Sequence, residues 1–164
     1  MATADWMDTY SVDILETLRE AGILPGMNVL DFGCGPGRYA LPAERMVGTG
    51  GMVYAADAHP AVVEIVKRRA ATSGTTRLRT IATDCDTFLP RRSIDVVLLY
   101  DALHDMRDKH AVLAELHRVL KPQGILSYRD HTLGGEPLLS LMRSCGFSPL
   151  ARTARQLSLQ RHPA

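Results

Sequence analysis

An acid, three alternate glycines and a proline stand together in the segment Asp31-Phe32-Gly33-Cys34-Gly35-Pro36-Gly37. Glycine lets the backbone turn sharply and lets a ligand approach with no Cβ in the way. The apolar residues Val29 and Leu30 before the acid predict a buried strand, and Arg38 to Met46 predict a helix. A strand-to-helix turn of this kind sits at the carboxyl end of a strand, where open α/β sheets bind ligands. The turn therefore predicts a grip on a small molecule, a cofactor of nucleoside type.

Spacing narrows the choice. The dinucleotide fingerprint is G-x-G-x-x-G, with a pyrophosphate on the helix N-terminus. Here the spacing is G-x-G-x-G, an acid lies two residues ahead of the first glycine, and Pro36 takes one N–H donor out of the loop. A pyrophosphate asks for donors, whereas a carboxylate suits an ammonium group. S-adenosylmethionine carries an α-amino group and a sulfonium and no phosphate, and it matches this pattern.

Three further segments carry groups that can do chemistry. The second predicted strand ends in Ala56-Asp57-Ala58-His59-Pro60. An acid there is placed to accept from ribose hydroxyls, and an Asp that merely opens a turn before a helix would look the same. Thr83-Asp84-Cys85-Asp86 reads by itself as a turn, and no base accompanies Cys85 to make it a nucleophile. After the fourth strand comes Tyr100-Asp101-Ala102-Leu103-His104-Asp105-Met106. His104 can serve as a general base, because an imidazole is easily poised near neutral pH. Asp101 or Tyr100 can orient an acceptor. The competing reading has Asp105 opening a turn and His104 packed on the next helix. His110 and His117 lie two helical turns apart, too far for one metal without a third ligand between them, and His131 follows the fifth strand. They read as solvated or packed side chains, and no metal is expected.

The elements that must position these groups alternate. Helices are predicted over Asp13 to Ala21, Arg38 to Met46, Pro60 to Ala71, from Asp108 or Lys109 to the Lys121-Pro122-Gln123-Gly124 turn, and over Glu136 to Ser144. Strands are predicted over Asn28 to Phe32, Met52 to Ala56, Leu78 to Ala82, Ile94 to Leu99, Ile125 to Arg129, Pro149 to Thr153 and Gln156 to Gln160. Alternation of strand and helix implies a parallel sheet with helices on both faces. The last two strands are close enough for a hairpin that adds an antiparallel edge. The fold class is thus α/β, a Rossmann-like, doubly wound, mostly parallel seven-stranded sheet in three layers. Repeats and linkers are absent, so residues 1–164 are read as a single domain.

Composition excludes other classes. Nineteen Lys and Arg against 18 Asp and Glu leave a net charge of +1, with no basic footprint for nucleic acid. Arg152, Arg155 and Arg161 form the one basic grouping, read as a solvated edge. The longest apolar run, Ile94 to Tyr100, has strand length. Asp5 and Asp8 near the N-terminus do not suit a signal peptide. Three cysteines, Cys34, Cys85 and Cys145, are too far apart for a C-x-x-C pair, which points to reduced thiols and a cytoplasmic setting.

From about residue 13 onward the chain resembles the class I S-adenosylmethionine-dependent methyltransferases, and within them the small-molecule branch of ubiquinone and menaquinone biosynthesis. The resemblance rests on Leu30 to Gly37, Asp57, the Asp84 loop, Ile94 to Met106, and Leu116 to His131 with its Lys-Pro-x-Gly turn. It implies that Asp31, Gly33, Cys34, Gly35 and Gly37 surround the methionine end of the cofactor. Asp57, with Ala58 beside it, would hold the ribose. Asp84 would reach the adenine and Cys85 would lie against the ring. Tyr100 and Asp101 would face the methyl group, and the reaction would be an in-line displacement on a small-molecule acceptor. Departures lie at the N-terminus and in the short loop His131 to Gly135, which leave the acceptor pocket open or completed by a second subunit in a homodimer. Trp6 and Tyr10 are the candidates for a flap. Two rivals remain: a nicotinamide-dependent oxidoreductase, disfavoured by the glycine spacing, and a non-catalytic binder of the cofactor or its homocysteine product.

Overall fold

The computed structural model describes residues 10–162. Its elements are α1 (Val12–Glu20), β1 (Asn28–Phe32), α2 (Ala40–Val47), β2 (Met52–Asp57), α3 (Pro60–Thr72), β3 (Leu78–Ala82), β4 (Ile94–Tyr100), α4 (Lys109–Val119), β5 (Leu120–Arg129), α5 (Gly135–Ser144), β6 (Phe147–Arg152) and β7 (Leu157–Arg161). The strands form one seven-stranded sheet in the order β3-β2-β1-β4-β5-β7-β6. β1 to β5 pair in parallel, and β7 runs antiparallel to both β5 and β6. The terminal hairpin forms the edge, with the reversed strand β7 one place in and β6 outermost.

Two apolar layers sandwich the sheet. Alternate residues of one strand point to opposite faces. Leu30 and Phe32 of β1 and Val97 and Leu99 of β4 therefore join the layer containing Val112, Leu116, Leu138 and Met142 of α4 and α5. Val29, Val96 and Leu98 join the layer containing Leu18, Ala40, Ala43 and Val66 of α1, α2 and α3. Asp108 opens α4 by accepting the Ala111 N–H at 2.9 Å, a side-chain N-cap.

The strand order reverses between β1 and β4. In open α/β sheets the crevice at such a switch point, outside the carboxyl ends of the strands, is where ligands bind. That crevice receives the glycine turn from β1 on one side and the Asp101–Met106 segment from β4 on the other.

Two expectations need correction. β5 begins at Leu120 and not at Ile125: Leu120 pairs with Ile94, the register then shifts, and Val96 pairs with Ile125. The Lys-Pro-Gln-Gly segment is a bulge inside the strand. Gly124 is needed there, since a Cβ would lie 2.7 Å from Leu120 Cδ2. Of the basic grouping near the C-terminus, read as a solvated edge, only Arg152 is exposed. Arg161 is buried and donates to the Leu120 carbonyl at 2.8 Å, and Arg155 meets Asp13, Glu16 and Glu20, tying α1 to the β6–β7 turn. Of the proposed flap residues, Tyr10 is half-buried and Trp6 lies outside the described residues.

Candidate active site

The turn after β1 is assembled by backbone hydrogen bonds to β2. The N–H groups of Gly33 and Cys34 both donate to the Ala56 carbonyl, at 2.8 and 2.9 Å. The N–H of Gly35 donates to Asp57 Oδ2 at 3.1 Å. Gly33 has φ +80°, and a Cβ on it would stand 2.5 Å from Ala102 Cβ, so the β4 segment packs directly on its backbone. Gly35 has φ +50°, and a Cβ on it would meet nothing within 4 Å, so it borders open space.

Asp31 lies under this turn. Its side chain is on the α2 face, 2% exposed, and its Oδ2 has no hydrogen-bond partner. Burial pushes the carboxyl up to about 7; the Ala40 N–H opposes the rise and the Asp57 charge adds to it. Cys34 corrects the sequence reading. Its thiol is buried in the α2-side layer, its N–H is spent on Ala56, and burial pushes the thiol upward. Neither polar hydrogen faces the crevice. The thiol is enclosed, donating to the Gly35 carbonyl at 3.4 Å.

Asp57 ends β2 and does two jobs. Oδ2 holds Gly35, while Oδ1 accepts the His59 N–H at 3.0 Å and faces its Nδ1 at 3.1 Å. Ala58 beside it is exposed. After β3, Thr83 braces its own loop: its hydroxyl donates to the Asp86 carbonyl and accepts from the Cys85 N–H. Asp84 is exposed with no side-chain partner among the described residues, and Cys85 is half-buried against the α4-side layer. Burial first, then the neighbouring acids, push the Cys85 thiol up, the opposite of what a nucleophile needs.

At the ends of β4 and β5 two imidazole–carboxylate pairs cross. The β4 segment supplies Asp101 and His104; the β5 segment supplies Asp130 and His131. His104 Nδ1 lies 2.9 Å from Asp130 Oδ2, which also accepts the His104 N–H at 3.2 Å. His131 Nδ1 and its N–H both meet Asp101 Oδ1, the latter at 3.0 Å. The two pairs differ in environment. The Asp130 side chain is fully buried and the His104 ring 25% exposed, whereas the His131 ring is 80% exposed. Asp130 Oδ1 accepts the N–H groups of Thr132 at 2.8 Å and Leu133 at 3.0 Å. Burial pushes Asp130 up, but the bonds from His104, Thr132 and Leu133 outweigh it and hold the carboxyl below its usual range. The Asp130 bond raises His104 above an ordinary histidine; burial opposes this, and the charges of Asp130, Asp105 and Asp101 add to it.

Tyr100 also departs from expectation. Its ring shares the α2-side layer with Val96 and Leu98, and its hydroxyl lies 2.7 Å from both Ser127 Oγ and Gln156 Oε1. Burial pushes the phenol upward. The side chain is sealed between β4, β5 and the β6–β7 turn, so it does not face an acceptor as an acid, base or ligand. Sequence reasoning missed Asp130 and Arg129. The Arg129 guanidinium stands over the rings of Tyr39 and Tyr100, 5.4 and 5.1 Å from their centroids. The signal for Asp130 was present: an Asp-His dipeptide closes the fifth strand just as Asp-x-x-His closes the fourth.

A cavity of about 170 Å³ adjoins Asp130, between the β5 end, the start of α5 and the β6–β7 turn. A larger one of about 490 Å³ lies at the other end of the sheet, beside the Lys121–Asp95 ion pair, far from every group above.

Residues 23–149 match the family model of the methyltransferase domain. The chain belongs to this family. It is 30% identical over 125 residues to a ubiquinone/menaquinone biosynthesis C-methyltransferase UbiE of Cupriavidus taiwanensis, an alignment covering 74% of this chain and 50% of that protein. The chain thus spans about half the length of the curated relatives it matches. Among solved structures, a SAM-dependent methyltransferase from Aquifex aeolicus superposes with a TM-score of 0.80 at 23% identity, covering 90% of this chain and 89% of that one. An arsenic(III) S-adenosylmethionine methyltransferase from Chlamydomonas reinhardtii superposes with a TM-score of 0.72 at 22% identity, over 99% of this chain and 72% of that one. The domain has the Rossmann-like fold of the class I methyltransferases. Among the described residues no helix is long and apolar enough to cross a membrane.

Proposed function

We propose that the domain is an S-adenosylmethionine-dependent methyltransferase acting on a small-molecule acceptor. The observation that carries this reading is the unpartnered, buried Asp31 Oδ2 beneath a glycine turn that is open at Gly35. An orphaned buried carboxylate oxygen is costly unless a ligand supplies a donor, and an ammonium group is the donor that also supplies charge. The residues present fit the cofactor. Asp31 would take the amino group, with Gly33, Gly35 and Gly37 shaping the turn around the methionine end. Asp57, with Ala58 beside it, keeps acceptor capacity for ribose hydroxyls. Asp84 is free for the adenine amino group, and Cys85 would lie against the ring. When bound, S-adenosylmethionine supplies a methyl group already activated on a sulfonium. The protein then contributes orientation: Asp101 aligns the acceptor at the β4 end and His104 stands ready to take a proton.

The alignment reaches only half of the relative named for C-methylation in quinone biosynthesis, so its acceptor is not carried over. Only residues 130–134 join β5 to α5 above the smaller cavity. That supports an acceptor pocket completed by a second copy of the chain, a homodimer whose mass light scattering would read. Three unpaired cysteines support a reducing, cytoplasmic setting. Thiol titration of protein from unreduced cell extract tests this, and a recovered disulfide would count against it.

Calorimetric titration with S-adenosylhomocysteine, with NAD as control, tests the cofactor. Micromolar binding, weakened by Asp57→Ala, with NAD silent, is expected. Binding of NAD, or of neither ligand, overturns the reading. The Asp57→Ala variant also loosens Gly35, so its fold is checked by thermal melting.

A further inference from the structure

The His104–Asp130 pair has the geometry of a fixed general base, and it constrains the chemistry of the acceptor. This inference rests on the methyltransferase reading. Asp130 is held on both oxygens: Oδ1 by Thr132 and Leu133, Oδ2 by the His104 N–H and ring. A carboxylate so tethered cannot rotate, and the ring bonded to it is held with it. Because Asp130 is ionised it only accepts, so Nδ1 of His104 carries a proton, and it is the neutral ring that presents a lone pair at Nε2. The crossed partner, His131 with Asp101, lies on the solvent side and lacks this enclosure.

We propose that Asp130 is a positioning residue that fixes His104 for proton removal at Nε2, and that the acceptor is a small phenol or enol. Such a hydroxyl must lose its proton to become a good nucleophile. A thiol near neutral pH ionises readily by itself, and a free amine attacks without prior proton loss. The step balances. The acceptor oxygen forms a bond to the methyl carbon, the carbon–sulfur bond breaks with its pair going to sulfur, and the hydroxyl proton moves to Nε2. Asp105 completes the cycle. Its Oδ2 lies 3.2 Å from Nε2, and its side chain is 85% exposed. It pairs with the imidazolium, is repelled by the neutral lone pair, and leads the proton to water. The charged groups facing the ring are all acids: Asp130 from the β5 end, and Asp101 and Asp105 from its own segment. All three favour the protonated ring, so the activity rises with pH through a value above 6.5, the ordinary value for histidine.

The test uses catechol and 4-nitrocatechol as probe acceptors with S-adenosylmethionine at pH 8, products read by mass spectrometry. Wild type is expected to O-methylate both. Asp130→Asn and His104→Gln are expected to lose about 100-fold on catechol, within the range of general-base effects, and less than about 10-fold on 4-nitrocatechol, whose proton has already left. Nitrogen-15 NMR of the imidazole supplies a readout independent of turnover. Asp130→Asn should lower the His104 titration midpoint and move the proton from Nδ1 toward Nε2. Equal losses on the two probes, or an unmoved tautomer in a folded variant, would overturn the positioning role. If S-adenosylhomocysteine binds but neither probe is methylated, the acceptor class is wrong and the cofactor reading stands. If it does not bind, the methyltransferase reading itself fails.

Discussion

Replacing Asp31 by Asn should strengthen the ligand-free fold and weaken its grip on S-adenosylhomocysteine. The carboxyl is 2% exposed, lacks a partner on Oδ2, and rises from 3.8 to about 7 through burial. A rise of that size disfavours the buried anion by ~4 kcal/mol relative to the unfolded chain. The sign follows from linkage. In the fold the group stays protonated where the unfolded chain has already ionised. Its contribution to stability is therefore full below the unfolded value of 3.8, falls as pH rises, and levels off once the folded value of about 7 is passed. Asn has no charge to bury, so its advantage over Asp should grow by ~2–3 kcal/mol between pH 5 and pH 8, whatever fixed cost the amide carries. Urea unfolding of both proteins at the two pH values measures this. The same group gives a binding signature. With a midpoint near 7, about nine-tenths of Asp31 is protonated at pH 6 and about one-tenth at pH 8. An ammonium placed beside it draws out that proton, so binding should release about 0.9 proton at pH 6 and about 0.1 at pH 8. Titrations in two buffers of different ionisation enthalpy read the release, and Asn should abolish it. A pH-independent stability difference would refute the burial argument. Equal proton release in wild type and Asp31→Asn would refute the placing of an ammonium there.

Two further substitutions test packing around the crevice. Gly33→Ala would set its Cβ 2.5 Å from Ala102 Cβ at φ +80°, and should destabilise by ~2–3 kcal/mol. Adding Ala102→Gly should recover the steric part and leave ~1 kcal/mol of left-handed backbone cost, read from urea midpoints. Tyr100→Phe removes a hydroxyl shared by Ser127 and Gln156 and should cost ~1–3 kcal/mol of stability. Affinity for S-adenosylhomocysteine should stay within about twofold, since the lost hydrogen bonds lie inside the core; a large loss of affinity in a folded variant would return Tyr100 to the cofactor site.

Most of the fold was legible in the sequence because it rests on local signals. Periodicity separated strands from helices, and glycine, proline and Asp108 marked their ends, each signal reporting on neighbours a few residues away. The acid before the glycines, the acid closing β2 and the imidazole after β4 were legible for the same reason. Tertiary structure decided what those side chains meet. Leu120 joined β5 only because Ile94 lay beside it, and Tyr100 turned inward because Ser127 of β5 and Gln156 of the β6–β7 turn offered it partners. His104 and Asp130 stand 26 residues apart, and no local pattern pairs them. Their meeting follows from β4 and β5 being neighbours in parallel, which carries both strand ends to the same edge of the sheet. The types of the reactive groups were thus written along the chain. Which of them share a proton, and which are sealed in the core, depended on strand order and on the face each side chain was given.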